Sequence, residues 1–401
     1  MTLNKEYRIE KHIIKKSHPM FKMCSQYTLY SKNLYNHANY IIRQRYFKTK
    51  EFLRYNDMRV IMKKEASFKA IGSNAGQMTL KLLERNWKSF FALCKEWSKN
   101  PKKLLGMPRP PKYLDKEKGK YVVVMTNMQT QIKDGYLYFA FKPFKPFNNM
   151  FRVRFTGKHS ETRIVPRKGY YVLEVIYEKE VKEPINITEK VIGIDIGLNN
   201  LVAIQNNFGE VPFVINGKPL KSLNSYYNKK KSAIQSKLKK VNKMNWSNRL
   251  SQLTFKRDNK INNYIHNSSR YIVNYCLAFN VDTVIIGKND KWKQGSKLKN
   301  FIQIPFNKLI EQLQYKLREH GINVILTEES YTSKASFIDN DEMSKDIEFS
   351  GKRIHRGLYK TKDNKLINAD INGASNIMRK VSSKIFDEVK GVHLHPVIIN
   401  L

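Results

Sequence analysis

A run of apolar residues that ends on an acid, Val191-Ile192-Gly193-Ile194-Asp195-Ile196-Gly197, constrains this chain more than any other stretch. Apolar and small residues leading straight into an aspartate read as a buried strand whose end carries a charge. A carboxylate left there costs on the order of several kcal/mol unless a metal or a cation pairs with it. Gly197 then removes a side chain where another backbone or a phosphate can approach. A second strand, Asn200-Leu201-Val202-Ala203-Ile204, follows at once. A hairpin with a tight turn and a metal site at a strand end both fit these residues.

Charge narrows the partners. Lys and Arg number 74 against 34 Asp and Glu, a formal charge of +40. A compact protein so imbalanced repels itself unless a polyanion neutralises it. No run of about 18 apolar residues and no lipidation signal points to a membrane. The charge is spread along the chain, as expected of a long phosphate-tracking surface. An aromatic content of 12% argues for folded domains rather than a basic disordered arm. At 401 residues, two or three domains are expected. Cys24, Cys94 and Cys276 are scattered, with no CxxC pair, so neither a disulfide framework nor a zinc ribbon is expected. The N-terminal residues show no signal peptide, and a cytoplasmic, nucleoid-associated location is expected.

In chain order, residues 3–16 read as a basic strand. Tyr27, Tyr30, Leu34, Ala38 and Ile41 then follow a helical period, with Lys32, Arg43 and Arg45 off the stripe. A second helix fits Asn74 to Trp97, with Leu80, Leu83, Trp87, Phe90 and Phe91 on its apolar face. The aromatics read as core, and the basic residues between them as phosphate contacts. Pro101 and Pro108-Arg109-Pro110-Pro111 mark a linker. Beyond it, 121–124, 135–139, 151–155 and 170–175 read as short strands of a small barrel, with Arg152 and Arg154 on one strand face. Lys182-Glu183-Pro184 closes that region. A long helical region over about 220–280 includes seven lysines within 229–243, a run better suited to phosphate than to solvent alone. Strands at 281–287 and 322–329, a helix from Phe306 to His320 ended by Gly321, and a closing helix from about Asp370 complete an α/β layer.

Two-metal phosphodiester hydrolysis needs several carboxylates converging from different elements. Asp195 at one strand end, Glu328 or Glu329 at another and Asp370 at a helix start are the available set. Each also has a structural reading: Asp370 as a cap or helix-dipole partner, the glutamates as solvated residues leaving a strand. Together, in a chain this basic, they favour a magnesium nuclease.

The strand-Asp-x-Gly-strand pattern resembles the ribonuclease H-like superfamily, whose first-strand aspartate holds magnesium. The segments Ile194–Asn200, Glu328-Glu329-Ser330-Tyr331-Thr332-Ser333-Lys334, Phe349-Ser350-Gly351-Lys352-Arg353 and Asn368-Ala369-Asp370-Ile371-Asn372-Gly373-Ala374-Ser375-Asn376-Ile377 resemble the TnpB family of transposon-encoded, RNA-guided DNA endonucleases. Lys32-Asn33-Leu34-Tyr35-Asn36 and Pro111-Lys112-Tyr113 match as well. The resemblance implies a multidomain α+β fold. A small wedge β-barrel (1–15 and 108–185) holds an inserted helical recognition domain (16–107). An RNase H-like RuvC α/β nuclease domain (186–325 and 366–401) follows, interrupted by a ribbon-like insertion (326–365). It further implies two Mg²⁺ ions held by Asp195, Glu329 and Asp370, a guide RNA from the transposon end, and double-stranded target DNA. A monomer carrying one RNA is expected. By motif position, Asn74, Gln77, Thr126 and Asn127 fall where the family reads a short target-adjacent motif, and amides suit adenine edges.

Two departures stand out. The family's second glutamate ends the third strand, where this chain has Gly287; either the site is dead, or Glu329, Glu328 or Asp290 substitutes. Strand alternation lets only one of Glu328 and Glu329 face the site, and Glu329 is the choice made here. The zinc ribbon of many relatives is also missing its cysteines, replaced by Ser336-Phe337-Ile338-Asp339, so no zinc is expected. The competing functions are a guided DNA-binding repressor without cleavage, favoured by Gly287, and a sugar-kinase or actin-like ATPase, which would require glycine-rich phosphate loops that the sequence lacks.

Overall fold

The computed structural model describes residues 4–181, 189–289, 303–386 and 392–401. Lys182-Glu183-Pro184 and Asp290 lie outside them. Two compact units divide the chain, Lys5–Glu180 and Met1–Asn4 with Val181–Leu401.

The first unit joins a helical layer to a sheet. Strand β1 (Asn4–Ile14) leads into α1 (Phe21–Thr49); α2 (Tyr55–Met62), α3 (Ala66–Ile71) and α4 (Ser73–Lys99) follow. The helical spacing places α1 and α4 well, although α1 begins one to two turns earlier than expected. The short helices α2 and α3 went unread because their apolar residues are too few to establish a period. Trp87 of α4 is fully buried among the rings of Tyr46, Phe52 and Phe91. Its indole nitrogen donates to Asn39 Oδ1 at 3.0 Å, satisfying the one polar atom of a core residue. Lys32, read as lying off the apolar stripe of α1, is buried, with Nζ on the Lys116 carbonyl at 2.6 Å. Arg43 likewise donates to the Pro111 carbonyl at 3.0 Å. Both cations tie the linker to α1.

Strands β2 (Val123–Thr126), β3 (Thr130–Lys133), β4 (Tyr136–Phe139), β5 (Lys158–Arg167) and β6 (Tyr170–Val181) complete the unit. Among the described residues their hydrogen bonding does not close a barrel. A four-stranded sheet runs β1-β6-β5-β2, and β3-β4 form a separate hairpin. The expected strand at 151–155 makes one bridge, Arg152 to Tyr136. β5 is too polar to stand out by composition and is held by its long antiparallel pairing with β6.

The second unit is built on a six-stranded sheet. Its strands are β7 (Val191–Ile196), β8 (Asn200–Asn206), β9 (Phe213–Asn216), β10 (Thr283–Lys288), β11 (Asn323–Glu328) and β15 (Val397–Ile399). Their order is β11-β10-β7-β8-β9-β15. β7, β10 and β11 are parallel; β7, β8 and β9 form an antiparallel meander; β15 adds parallel to β9. The expected long helical region is two helices, α5 (Lys218–Asn242) and α6 (Asn248–Ala278). Lys243, at φ 50°, turns the chain out of α5, and the Ser247 hydroxyl caps Leu250 N to open α6. Helix α7 (Phe306–Glu319) ends at Gly321 (φ 79°), with Ile322 N returning to the Leu317 carbonyl at 3.1 Å. A three-stranded sheet of β12 (Lys352–His355), β13 (Leu358–Lys360) and β14 (Leu366–Asn368) precedes α8 (Ala369–Arg379).

Strand alternation decides which face carries the chemistry. Ile192, Ile194, Val284 and Ile286 pack with α6 and α7 residues such as Ile265, Ile272, Leu309 and Leu313. Val191 and Ile285 pack on the other side with Ile377 and Met378 of α8. The period of two therefore puts Gly193, Asp195 and Gly287 on the α8 face. Helix α8 lies close to it: a Cβ on Gly193 would sit 2.5 Å from the Ala374 carbonyl oxygen. Among the described residues no helix is long and apolar enough to cross a membrane.

Candidate active site

Asp195 projects toward α8 from the penultimate position of β7. Space for its carboxylate comes from a missing side chain, since a Cβ on Gly373 would lie 2.7 Å from Asp195 Oδ2. Burial pushes the Asp195 carboxyl up to about 8, reinforced by the negative charges of Asp370 and Glu329. Arg353 and the Ile196 amide oppose the shift without cancelling it. A carboxylate raised this far by burial and by like charges is a candidate site for a cation.

Asp370 is in the first turn of α8, but it is not the cap. Asn368 is, accepting from Asp370 N at 3.0 Å and Ile371 N at 3.2 Å. The Asp370 carboxylate is thereby left to receive Asn200 Nδ2 at 2.7 Å and Arg353 Nη2 at 3.4 Å.

The two glutamates diverge. Glu328 is largely exposed; its carboxylate accepts from the Ser330 amide at 2.9 Å, from the Ser330 hydroxyl and from Lys380 Nζ at 3.3 Å. Partial burial works to raise its pKa, yet these bonds outweigh it and hold the group below the usual range. Glu329, one residue past β11, turns to the α8 face. Its Oε2 is 3.4 Å from where a Cβ on Gly287 would stand. The register aligns Gly287 with Thr327 and Lys288 with Glu328, so Glu329 reaches across from the adjacent strand end into the space before Gly287. Asn376 helps fix the turn that follows, donating to the Thr332 carbonyl at 3.0 Å, while Thr332 Oγ1 donates to the Glu329 carbonyl at 2.8 Å.

Beside these acids is a cleft of about 300 Å³ lined by Gly197, Asn199, Asn200, Arg353, Arg356 and Asp370. Arg353, at the base of the β12–β13 hairpin, donates to the Arg356 carbonyl. Sequence reasoning gave neither arginine a role. Arg353 lies in a segment singled out by resemblance, but only the hairpin that leads into α8 brings it to Asp370. Among the described residues the carboxylates do not close into a ready-made metal cage. Hard oxygen donors on an open cleft nevertheless fit Mg²⁺, which keeps several waters and takes few protein ligands.

Where the sequence led us to expect no zinc ribbon, carboxylates bind backbone amides and a serine hydroxyl. Asp341, buried, accepts from Ser336 N at 2.7 Å and Ser350 N at 3.1 Å; Asp339 accepts from Ser336 Oγ at 2.6 Å and Lys362 N at 3.0 Å.

The four residues expected at the target-adjacent motif belong to the first unit. Asn74 and Thr126 bond to each other, at 3.1 Å from Asn74 Nδ2 to Thr126 Oγ1. Gln77 accepts from the Tyr55 hydroxyl at 2.9 Å and donates to Ser73 Oγ at 3.2 Å. Asn127 is exposed in the turn before β3.

The fold is a mixed α+β, multidomain one similar to that of Cas12f effectors. A family model described as probable transposase (OrfB_IS605) matches residues 174–293, and one described as Cas12f1-like, TNB domain, matches 306–377. The TnpB-like protein ORF457 of Acidianus two-tailed virus is 22% identical over 413 residues, covering 90% of this chain and 83% of that one. A Cas12f1 chain solved by cryo-EM as a Cas12f1–sgRNA–target DNA complex superposes with a TM-score of 0.54 at 13% identity, covering 89% of this chain and 82% of that one. The chain is thus similar to a TnpB-like protein over most of its length.

Proposed function

We propose that this chain is an RNA-guided DNA endonuclease that binds a guide RNA, reads a short motif beside its target and cleaves the complementary double-stranded DNA. The observation that carries the reading is the convergence of Asp195, Glu329 and Asp370 on one sheet face, where burial, and then the charges of Asp370 and Glu329, raise the Asp195 carboxyl. Three roles follow. Asp195, Glu329 and Asp370 would hold the Mg²⁺ ions. Asn200 and Arg353 orient Asp370. Arg353 and Arg356 in the cleft offer guanidinium groups to a phosphodiester. When bound, Mg²⁺ supplies Lewis-acid polarisation of the scissile phosphate. Guide pairing supplies sequence specificity, as in other RNA-guided systems, and Asn74, Gln77, Thr126 and Asn127 are proposed to read the adjacent motif.

The test is cleavage of a plasmid library by the protein–RNA complex in Mg²⁺, with a guide-matched target beside randomised flanks. Cutting is expected to vanish in Asp195→Ala and Glu329→Ala and to persist in Glu328→Ala. Gly287 favours a second reading, a guided repressor without cleavage, which predicts flank-specific binding and intact plasmid.

A further inference from the structure

The Lys32–Asn36 segment and the linker around Tyr113 take no part in the carboxylate site, yet within the first unit they are joined. Asn36 Nδ2 donates to the Leu114 carbonyl at 2.8 Å, and its Oδ1 accepts from Leu114 N at 2.9 Å. Asn39 Nδ2 and Arg43 Nη1 both reach the Pro111 carbonyl at 3.0 Å. These residues recur at roughly one-turn spacing along α1, so the linker is strapped lengthwise to the helix. The strap sets Tyr113 beside Arg43, whose guanidinium carbon is 5.2 Å from the Tyr113 ring centre and 5.2 Å from that of Phe47. Phe47 is 51% exposed, Tyr113 46%, and Tyr40, about two turns before Phe47 on α1, 54%. No core covers these rings, unlike Tyr46 and Trp87 on the same helix pair. Their setting is also predominantly basic, with Glu51 paired to Arg45. Residues 11–50 and 97–114 contain no Asp or Glu, and Lys48 and Lys112, chain neighbours of Phe47 and Tyr113, are exposed.

We propose that Tyr40, Arg43, Phe47 and Tyr113 form a stacking platform for unpaired bases of single-stranded RNA. A duplex hides its base faces, whereas splayed bases stack on aromatic rings and guanidinium planes. The Tyr40 and Tyr113 hydroxyls can donate to or accept from a ribose 2′-hydroxyl. The surrounding lysines supply phosphate attraction that does not depend on base identity. The inference rests on the proposed function only in naming RNA as the polyanion.

The experiment uses the full chain and measures anisotropy of fluorescein-labelled oligoadenylate, the matching RNA duplex and oligodeoxyadenylate over a salt series. The double variant Phe47→Ala/Tyr113→Ala should weaken oligoadenylate binding by about tenfold or more, the scale of base–aromatic stacking. Duplex binding should stay within about twofold, and the salt slope should not change, because no phosphate contact is removed. Phe47→Trp/Tyr113→Trp should restore binding. If the alanine pair fails to fold, Phe47→Leu/Tyr113→Leu keeps apolar bulk without a π face and carries the same expectation. Undiminished oligoadenylate binding, or an equal loss on the duplex, overturns the platform. An equal or larger effect on the DNA strand overturns its assignment to RNA. Because the readout is binding, plasmid cleavage lost while oligoadenylate binding behaves as expected would count against the nuclease reading alone.

Discussion

Strands β7 and β10 lie side by side, parallel, with Asp195 and Gly287 on the same face near their ends. One strand carries its own carboxylate. The other presents a hydrogen, and the space in front of it is shared by Ile377 of α8 and the Glu329 carboxylate from the neighbouring strand end. The difference teaches that such a site is defined by positions in space above a sheet edge. A side chain can enter from its own strand or from one strand over, provided the vacated position stays small.

The largest expected effect breaks the comparison outright. If the two ends are chemically equivalent, Asp195→Ala and Glu329→Ala should each reduce plasmid cleavage by at least about a hundredfold, the scale of several kcal/mol of transition-state stabilisation. Glu328→Ala should leave the rate within about twofold. A reversed order between the two glutamates would return the site to the exposed one.

The next effect is on stability and concerns Asp195 alone. Its folded pKa, about 8, lies above the ordinary value of 3.8, so the folded state holds this proton more tightly than the unfolded one. Stability from this group is intact below the ordinary value, declines as pH rises, and is fully lost once pH passes about 8. The metal-free protein should therefore melt at falling temperature between those limits, and Asp195→Asn should flatten that slope. Addition of Mg²⁺ should raise the wild-type melting temperature most at the alkaline end, with proton release on binding measurable by calorimetry in buffers of different ionisation enthalpy.

Gly287→Ala sharpens the comparison from the other side. The new Cβ would stand 2.5 Å from Ile377 Cδ1, an overpacking expected to cost about 1–3 kcal/mol in chemical denaturation. Ile377→Val in the same chain should recover part of it. The smallest effect belongs to Asn368→Ala, about 1 kcal/mol from a lost helix cap. A larger loss would mean that Asp370 needs the cap for its placement as well as for the helix.

The α8 face was legible in sequence because its parts are short and local. The apolar run into Asp195, the strand leading to Glu329 and the helix opening at Asp370 each bear a periodic signature. Resemblance supplied their association. Alternation lets only one of Glu328 and Glu329 face the site without saying which, and in the structure one carboxylate turns to Gly287 and the other to Lys380 and Ser330. What could not be read depends on long-range pairing. β5 owes its existence to β6, β15 to β9, and the positions of Arg353 and Asn200 to a hairpin and a meander that converge on Asp370. The burial of Lys32 was misread for the same reason, since its partner carbonyl lies 84 residues away.

Helix α8 also fixes when the site can exist. Asn200 and Asp370, bonded in the folded protein, are 170 positions apart in the chain. A growing chain on the ribosome would display Asp195, and then Glu329, well before α8 emerges to bring Asp370 and cover Gly193. Until α8 has left the exit tunnel, the set of three carboxylates would stay incomplete.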